Sequence, residues 1–292
     1  MTTTAAPEPT TLLEGIHFGE GPRVHGDWFY FSDMHAHRVQ RLNLRYLSAG
    51  EPAATLLETV IELDGPCSGL GWLPNGDLLI VEMEPRRLLR WDGEQLRTHA
   101  DLGALAAFHC NDMVVDRNGR AYVGNFGFDL HAGATPAPAN LVCVSPAGEV
   151  SLAAADLMFP NGTVITPDDR TLIVGETFGA CLTAFARDDE GRLNHRRTWA
   201  QLPEGAVPDG ICLDAANGIW VASPTTAECL RIVEGGTVTH RVPTGDGAFA
   251  CMLADSELFI LTAADSHPER CRDTATGRLL RLEAPYPAAG WP

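Results

Sequence analysis

Six residues of this 292-residue chain occupy one repeated place just upstream of a turn: Glu20, Ser68, Asn111, Asn161, Asp209 and Ala250. They sit in "GEGPRV", "CSGLGW", "CNDMVV", "PNGTVI", "PDGICL" and "FACMLA". Five of the six carry oxygen, and two are acids. An Asn, Asp or Ser at a strand start ordinarily bonds its own backbone, and each of these read alone says no more. Glu20 has no such turn preference. Acids and amides facing inward together would be costly without a cation. Oxygen donors with no His or Cys suit a hard divalent ion, Ca²⁺ or Mg²⁺, with Mn²⁺ next.

Only a repeat can bring such scattered residues together. Six segments share one grammar, a turn and then a short apolar strand: "HGDWFYFSD", "PNGDLLIVE", "RNGRAYVGN", "PDDRTLIVG", "AANGIWVAS" and "ADSELFILT". Their turn residues Gly26, Gly76, Gly119, Asp169, Gly218 and Ser256 lie 50, 43, 50, 49 and 38 residues apart. Asn-Gly and Asp-Asp supply the positive φ of a tight hairpin, and the β-branched and aromatic runs that follow read as strands. Third strands follow in "RRLLRWD", "CLTAFARDDEGRL" and "ECLRIVEGGTV". Units of 40 to 50 residues predict an all-β, six-bladed β-propeller with four-stranded antiparallel blades around a central channel. Residues 1–11 are expected to be a disordered start and 12–292 one domain. A two-domain sandwich would not demand such regular spacing.

Composition agrees. Glycine (29) and proline (20) are plentiful and charged residues are 20% of the chain, the profile of short strands and tight turns. A net charge of −17 argues against nucleic acid and anionic membrane as partners and leaves small molecules. The absence of a charged start followed by an apolar run, and eight cysteines without a CxxC pair, place the chain in the cytoplasm with reduced, buried thiols. Nothing in the pattern sets an oligomeric state.

These motifs resemble the SMP-30/gluconolactonase/LRE family of regucalcin-like, six-bladed lactonases. "GEGPRVHGDWFYFSD" is similar to its first-blade motif, "CNDMVVDRNGRAYVG" to its Asn-Asp segment, and "FPNGTVITPDDRTLIVGET" and "VPDGICLDAANGIWVA" to its Pro-Asn-Gly and Pro-Asp-Gly strands. The likeness runs from about Leu13 to Leu282 by the repeat count. It implies a divalent cation held by Glu20, Asn161 and Asp209: Ca²⁺ first, with Mg²⁺, Mn²⁺, Zn²⁺ or Fe²⁺ as alternatives. It implies Asp209 as general base and Asn111 as its companion at the substrate side, and the expected substrate contacts are His109, Asn111, Asp112 and Phe126. With a cation adjacent, the Asp209 and Glu20 carboxyls should ionise below their free values of about 3.9 and 4.3.

One departure matters. Two residues before the Asn-Asp pair the family commonly has arginine, and here stands His109. A histidine makes fewer hydrogen bonds to sugar hydroxyls, and its own titration should appear in activity near about pH 6 to 7. Phe108, Phe126, Phe128, Phe159 and Phe178 read first as core; any that line the pocket point to a substrate less polar than an aldonolactone. Two rivals to a lactonase follow. One is a strictosidine synthase-like or paraoxonase-like propeller enzyme, and the other a non-enzymatic binding propeller with a structural cation. His35 and His37 in "HAHR" read as loop residues rather than zinc ligands, and His131 falls on an insertion where a lid could form.

Overall fold

The computed structural model describes residues 4–5 and 8–291. Six sheets, each with four strands in an antiparallel ladder, make six blades, the arrangement that the turn spacing predicts, and a short fifth strand joins the edge of one of them. In each blade, the strand that starts at the ring position is innermost. These inner strands are Gly19–His25, Cys67–Trp72, Cys110–Val115, Pro160–Ile165, Ile211–Leu213 and Gly247–Ala254. Each packs on the next, and the sixth packs back on the first, so they close around an axis.

Each inner hairpin turns on one residue in the left-handed region: Gly26, Gly76, Gly119, Asp169, Asn217 and Asp255. In the first four blades this is the residue that the repeat singles out. In the fifth and sixth it falls one residue earlier, on an Asn and an Asp, side chains that tolerate that conformation. The third strands expected from sequence are Arg87–Trp91, Cys181–Arg187 and Glu228–Val233.

The sixth blade is assembled from both ends of the chain. Its outermost strand is Thr10–Ile16, paired antiparallel with Gly277–Glu283. Of the expected disordered start, residues 1–3 and 6–7 lie outside the described residues. Thr10 and Thr11 already belong to this strand, and Thr4–Ala5 pairs in parallel with the outer strand of the fifth blade.

Apolar side chains fill the spaces between blades. Trp220, Phe29, Phe31 and Phe259 are fully buried, and Phe29 packs against Phe259 across the seam of blades one and six at 4.9 Å between ring centroids. All eight cysteines are free thiols, six of them buried. No helix of the described residues is long and apolar enough to cross a membrane.

Candidate metal centre and cavity

Backbone irregularity aims the ring residues. In blades two, three and four, Ser68–Gly69, Asn111–Asp112 and Asn161–Gly162 each oppose a single residue of the second strand, so the ladder bulges there. A bulge breaks the strict alternation of a strand and re-aims a side chain. In blade five the same two-against-one arrangement is made by Asp209 and Gly210 about Ala222, with Asp209 N–H donating to the Ala222 carbonyl and Ala222 N–H to that of Gly210. Glycine after the ring residue lets neighbouring inner strands nearly touch: a Cβ on Gly162 would lie 2.5 Å from the Asp209 carbonyl oxygen.

The ring residues are joined by hydrogen bonds. Ser68 Oγ donates to Asn111 Oδ1 at 3.0 Å, and Asn111 Nδ2 donates to Asn161 Oδ1 at 3.0 Å. Asn161 Nδ2 donates to Thr177 Oγ1 at 3.2 Å, whose hydroxyl donates to the Pro208 carbonyl beside Asp209. The relay leaves Asp209 Oδ1 buried with no hydrogen-bond partner. Glu20, 3% exposed, accepts only from the adjacent Gly21 N–H at 3.1 Å.

In the protein alone both acids are held toward their neutral forms. Burial pushes Glu20 well above the ordinary carboxylate range, and the nearby Asp209 and Asp112 push it further. Burial likewise raises Asp209 to about 8. Two desolvated carboxyls facing each other with an orphaned oxygen fit a cation, which would bring both values down. The donors are hard oxygens: two carboxylates and the Asn161 amide oxygen, which accepts one hydrogen bond and has a second lone pair. Among the described residues no group of three or more His, Cys, Asp or Glu side chains is arranged to hold a metal, since the ring has two acids and completes itself with amides.

Above the ring opens a cavity of about 410 Å³, lined by Glu20, Asn111, Asn161 and Asp209 at its floor together with His109 and Phe126. Asp112 is not among the lining residues. It is the second residue of the bulge, and its carboxylate pairs instead with Arg23 at 2.8 Å and accepts from Met113 N–H, with both partners buried. The structure thus gathers six of the seven expected site residues at one cavity and turns the seventh, Asp112, away from it.

The cavity wall differs from the expectation that the phenylalanines are plain core. Phe126, Phe159 and Phe178 line it, joined by Phe18 and Phe249, which the sequence reading did not single out. Phe126 and Phe159 lie 4.5 Å apart and Phe18 and Phe249 4.6 Å, an aromatic wall on two sides. Phe108 and Phe128 stand behind, Phe108 stacked on the His109 ring at 4.1 Å. Burial lowers the His109 pKa, which moves the transition expected near pH 6 to 7 toward acid. His131 lines the cavity from its insertion, 5.6 Å from His267 on the insertion of the sixth blade. His35 also lines it, from a single 3₁₀ turn at Met34–Ala36, and is driven down to about 4, first by burial and then by the nearby Arg272. His37 is turned away in the left-handed region. The histidine pair is therefore split, one residue on the cavity and neither at the ring. Thr177, which links Asn161 to the Pro-Asp-Gly bend, could have been found by its place at the end of the second strand of blade four, opposite the ring.

Comparison with known proteins agrees with this architecture. The family model for the SMP-30/Gluconolactonase/LRE-like region matches residues 18–264. Regucalcin of Gallus gallus is 23% identical over 248 residues, which cover 79% of this chain and 83% of the relative. Among solved structures, a calcium-binding regucalcin from Agrobacterium tumefaciens superposes with a TM-score of 0.76 at 19% identity, covering 99% of both chains. A gluconolactonase from Xanthomonas campestris gives 0.71 at 24% identity, covering 95% of this chain and 89% of its own. At these identities the superpositions speak for the fold.

Proposed function

The chain belongs to the SMP-30/gluconolactonase/LRE-like family, and from that premise we propose that it is a divalent-cation-dependent hydrolase that opens a lactone. The observation that supports this most is the pair of buried carboxyls, Glu20 and Asp209, at the floor of the 410 Å³ cavity with Asp209 Oδ1 unpartnered. A purely structural carboxylate in so buried a place would be bonded on both oxygens. A relative that binds calcium and another that acts as a gluconolactonase support a cation and an ester-opening reaction.

Glu20, Asn161 and Asp209 would hold the cation, which when bound supplies Lewis-acid polarisation of the ester carbonyl. The Asp209 carboxyl, which also lines the cavity, would accept a proton from the attacking water and later return it to the leaving alkoxide. The Asn111 amide uses one N–H on Asn161 and keeps the second for a substrate oxygen. His109, kept neutral by burial, offers one ring nitrogen as donor and the other as acceptor. The aromatic wall excludes bulk water, which strengthens each of these contacts. Eight unpaired thiols support a reducing, cytoplasmic setting.

The same wall favours one second reading, a paraoxonase-like hydrolase of aryl esters. The test is a metal analysis of the purified protein followed by a panel of sugar lactones, alkyl lactones and aryl esters. Lactone opening that disappears on chelation and in Glu20→Ala is the expected result. Turnover of aryl esters alone would favour the second reading. Full lactonase activity in Glu20→Ala would overturn the proposal, and a bound cation with no turnover of any ester would leave a binding propeller.

A further inference from the structure

All 21 basic residues of the chain are arginines. Eighteen of them are ion-paired among the described residues. Of the remaining three, Arg272 alone lines the cavity. In a chain with a net charge of −17 an unpaired guanidinium is the exception, and this one stands where a ligand must pass.

The helix that carries it, Pro268–Asp273, is held in place from both sides. Cys271 is buried in the apolar cluster with Phe18, Met34 and Phe249, and its carbonyl is hydrogen-bonded to His17 Nδ1 at 2.9 Å. Arg270, two residues back, is tied to Asp265. The guanidinium of Arg272 is therefore free at its head while its backbone is anchored. His35, which Arg272 helps to hold neutral, stands near it on the cavity wall.

Resting on the lactonase reading, we propose that Arg272 is a specificity-determining residue that receives a carboxylate carried by the substrate away from its lactone ring. The substrate class is then a lactone with an apolar body and one distal carboxylate. The ring lies at Asp209 and Asn111, the body along Phe126, Phe159 and Phe249, and the carboxylate takes the planar, bidentate fork of the guanidinium. A single charge suits the site better than a dianionic phosphate, because one arginine neutralises one charge and the rest of the molecule repels anions.

Two matched lactones test this on the full chain loaded with its cation: γ-phenyl-γ-butyrolactone and the same molecule bearing a para-carboxylate. The wild type should prefer the carboxylated lactone by about tenfold in kcat/KM, expressed in KM. Arg272→Ala should erase that preference and leave turnover of the neutral lactone unchanged, and Arg272→Lys should restore part of it. Equal turnover of both lactones by the wild type, or an equal loss on both in Arg272→Ala, would overturn the proposal. A separate readout removes hydrolysis from the question: calorimetric binding of 4-(tetrahydrofuran-2-yl)benzoate, which has the carboxylate and no ester. Binding that falls about tenfold in Arg272→Ala and weakens with salt upholds the carboxylate site even if neither lactone is opened. Binding that is unaffected by the substitution rejects it.

Discussion

Asn111 donates from Nδ2 to Asn161 Oδ1 across 3.0 Å, joining the inner strands of two neighbouring blades at the floor of the cavity. The bond does more than connect them. It settles which end of the Asn161 amide faces Asn111, and with Thr177 on the other end it leaves the Asn161 oxygen as the ring's acceptor. Asn111→Ala should weaken cation affinity about tenfold by releasing that orientation, as loss of a supporting partner commonly does. Isothermal titration with Ca²⁺ against wild type checks this, and unchanged affinity would show that Asn161 is oriented by other contacts.

The two buried acids make stability depend on pH in an unusual direction. Their native pKa values are raised, Asp209 to about 8, so the folded protein holds protons that the unfolded chain gives up above about pH 4. The native state then binds more protons than the unfolded state, and stability falls as pH rises between those values. Chelated protein should lose up to about 1.4 kcal/mol per pH unit from Asp209 across this window, with Glu20 adding a loss of the same sign. Saturating cation should remove the loss, and Glu20→Gln with Asp209→Asn should flatten the curve of the chelated protein. Denaturant melts at pH 5, 6.5 and 8 provide the measurement. A chelated protein that gains stability toward pH 8 contradicts the argument.

Arg23 and Asp112 form a buried pair, 5% and 4% exposed at their side chains. Arg23→Met leaves the Asp112 carboxylate in the channel without its partner and should cost about 3–5 kcal/mol. Adding Asp112→Asn should recover much of that loss, because the charge that suffered is gone. A double variant whose loss equals the sum of the losses in Arg23→Met and Asp112→Asn alone would mean that the two residues act independently.

His109 is held neutral through the physiological range by burial. Lowering the pH through its depressed pKa should charge the ring and reduce kcat/KM for a lactone. His109→Gln should abolish this acid transition and leave the bound-metal content unchanged. A variant that keeps the transition, or loses its cation, removes His109 from the substrate-facing role.

The propeller was legible because every inner hairpin needs one residue at positive φ, and Gly, Asn or Asp at that place recurs through the chain. The floor of the site was legible for a related reason, since the bulges that aim Ser68, Asn111, Asn161 and Asp209 come eight residues before the hairpin residue. Glu20 holds the matched place in a blade whose bulge falls at Gly21–Pro22. Asp112 was expected to share the surroundings of its neighbour Asn111, but the two bulge residues differ, and Asp112 is taken up by Arg23. The wall was harder to see. Phe126 and Phe159 touch the ends of strands at the ring side, which was an available signal, but buried phenylalanine is equally the mark of core. Arg272 lies in the insertion between the second and third strands of blade six, outside the repeated grammar, and its freedom from partners is visible only once the other arginines are placed.

Pairing Thr10–Ile16 with Gly277–Glu283 has a consequence in time as well as space. The contact spans almost the whole chain, so the ring cannot close until nearly all of it has left the ribosome, and closure must overcome the entropy of the largest loop in the molecule. Blades two to five can form as local hairpins before then, because their strands are neighbours in sequence. Glu20 and Asp209 face each other only across the finished ring. Cation binding therefore reports the last step of folding, and a refolding experiment should show strand structure first and cation affinity in its slowest phase.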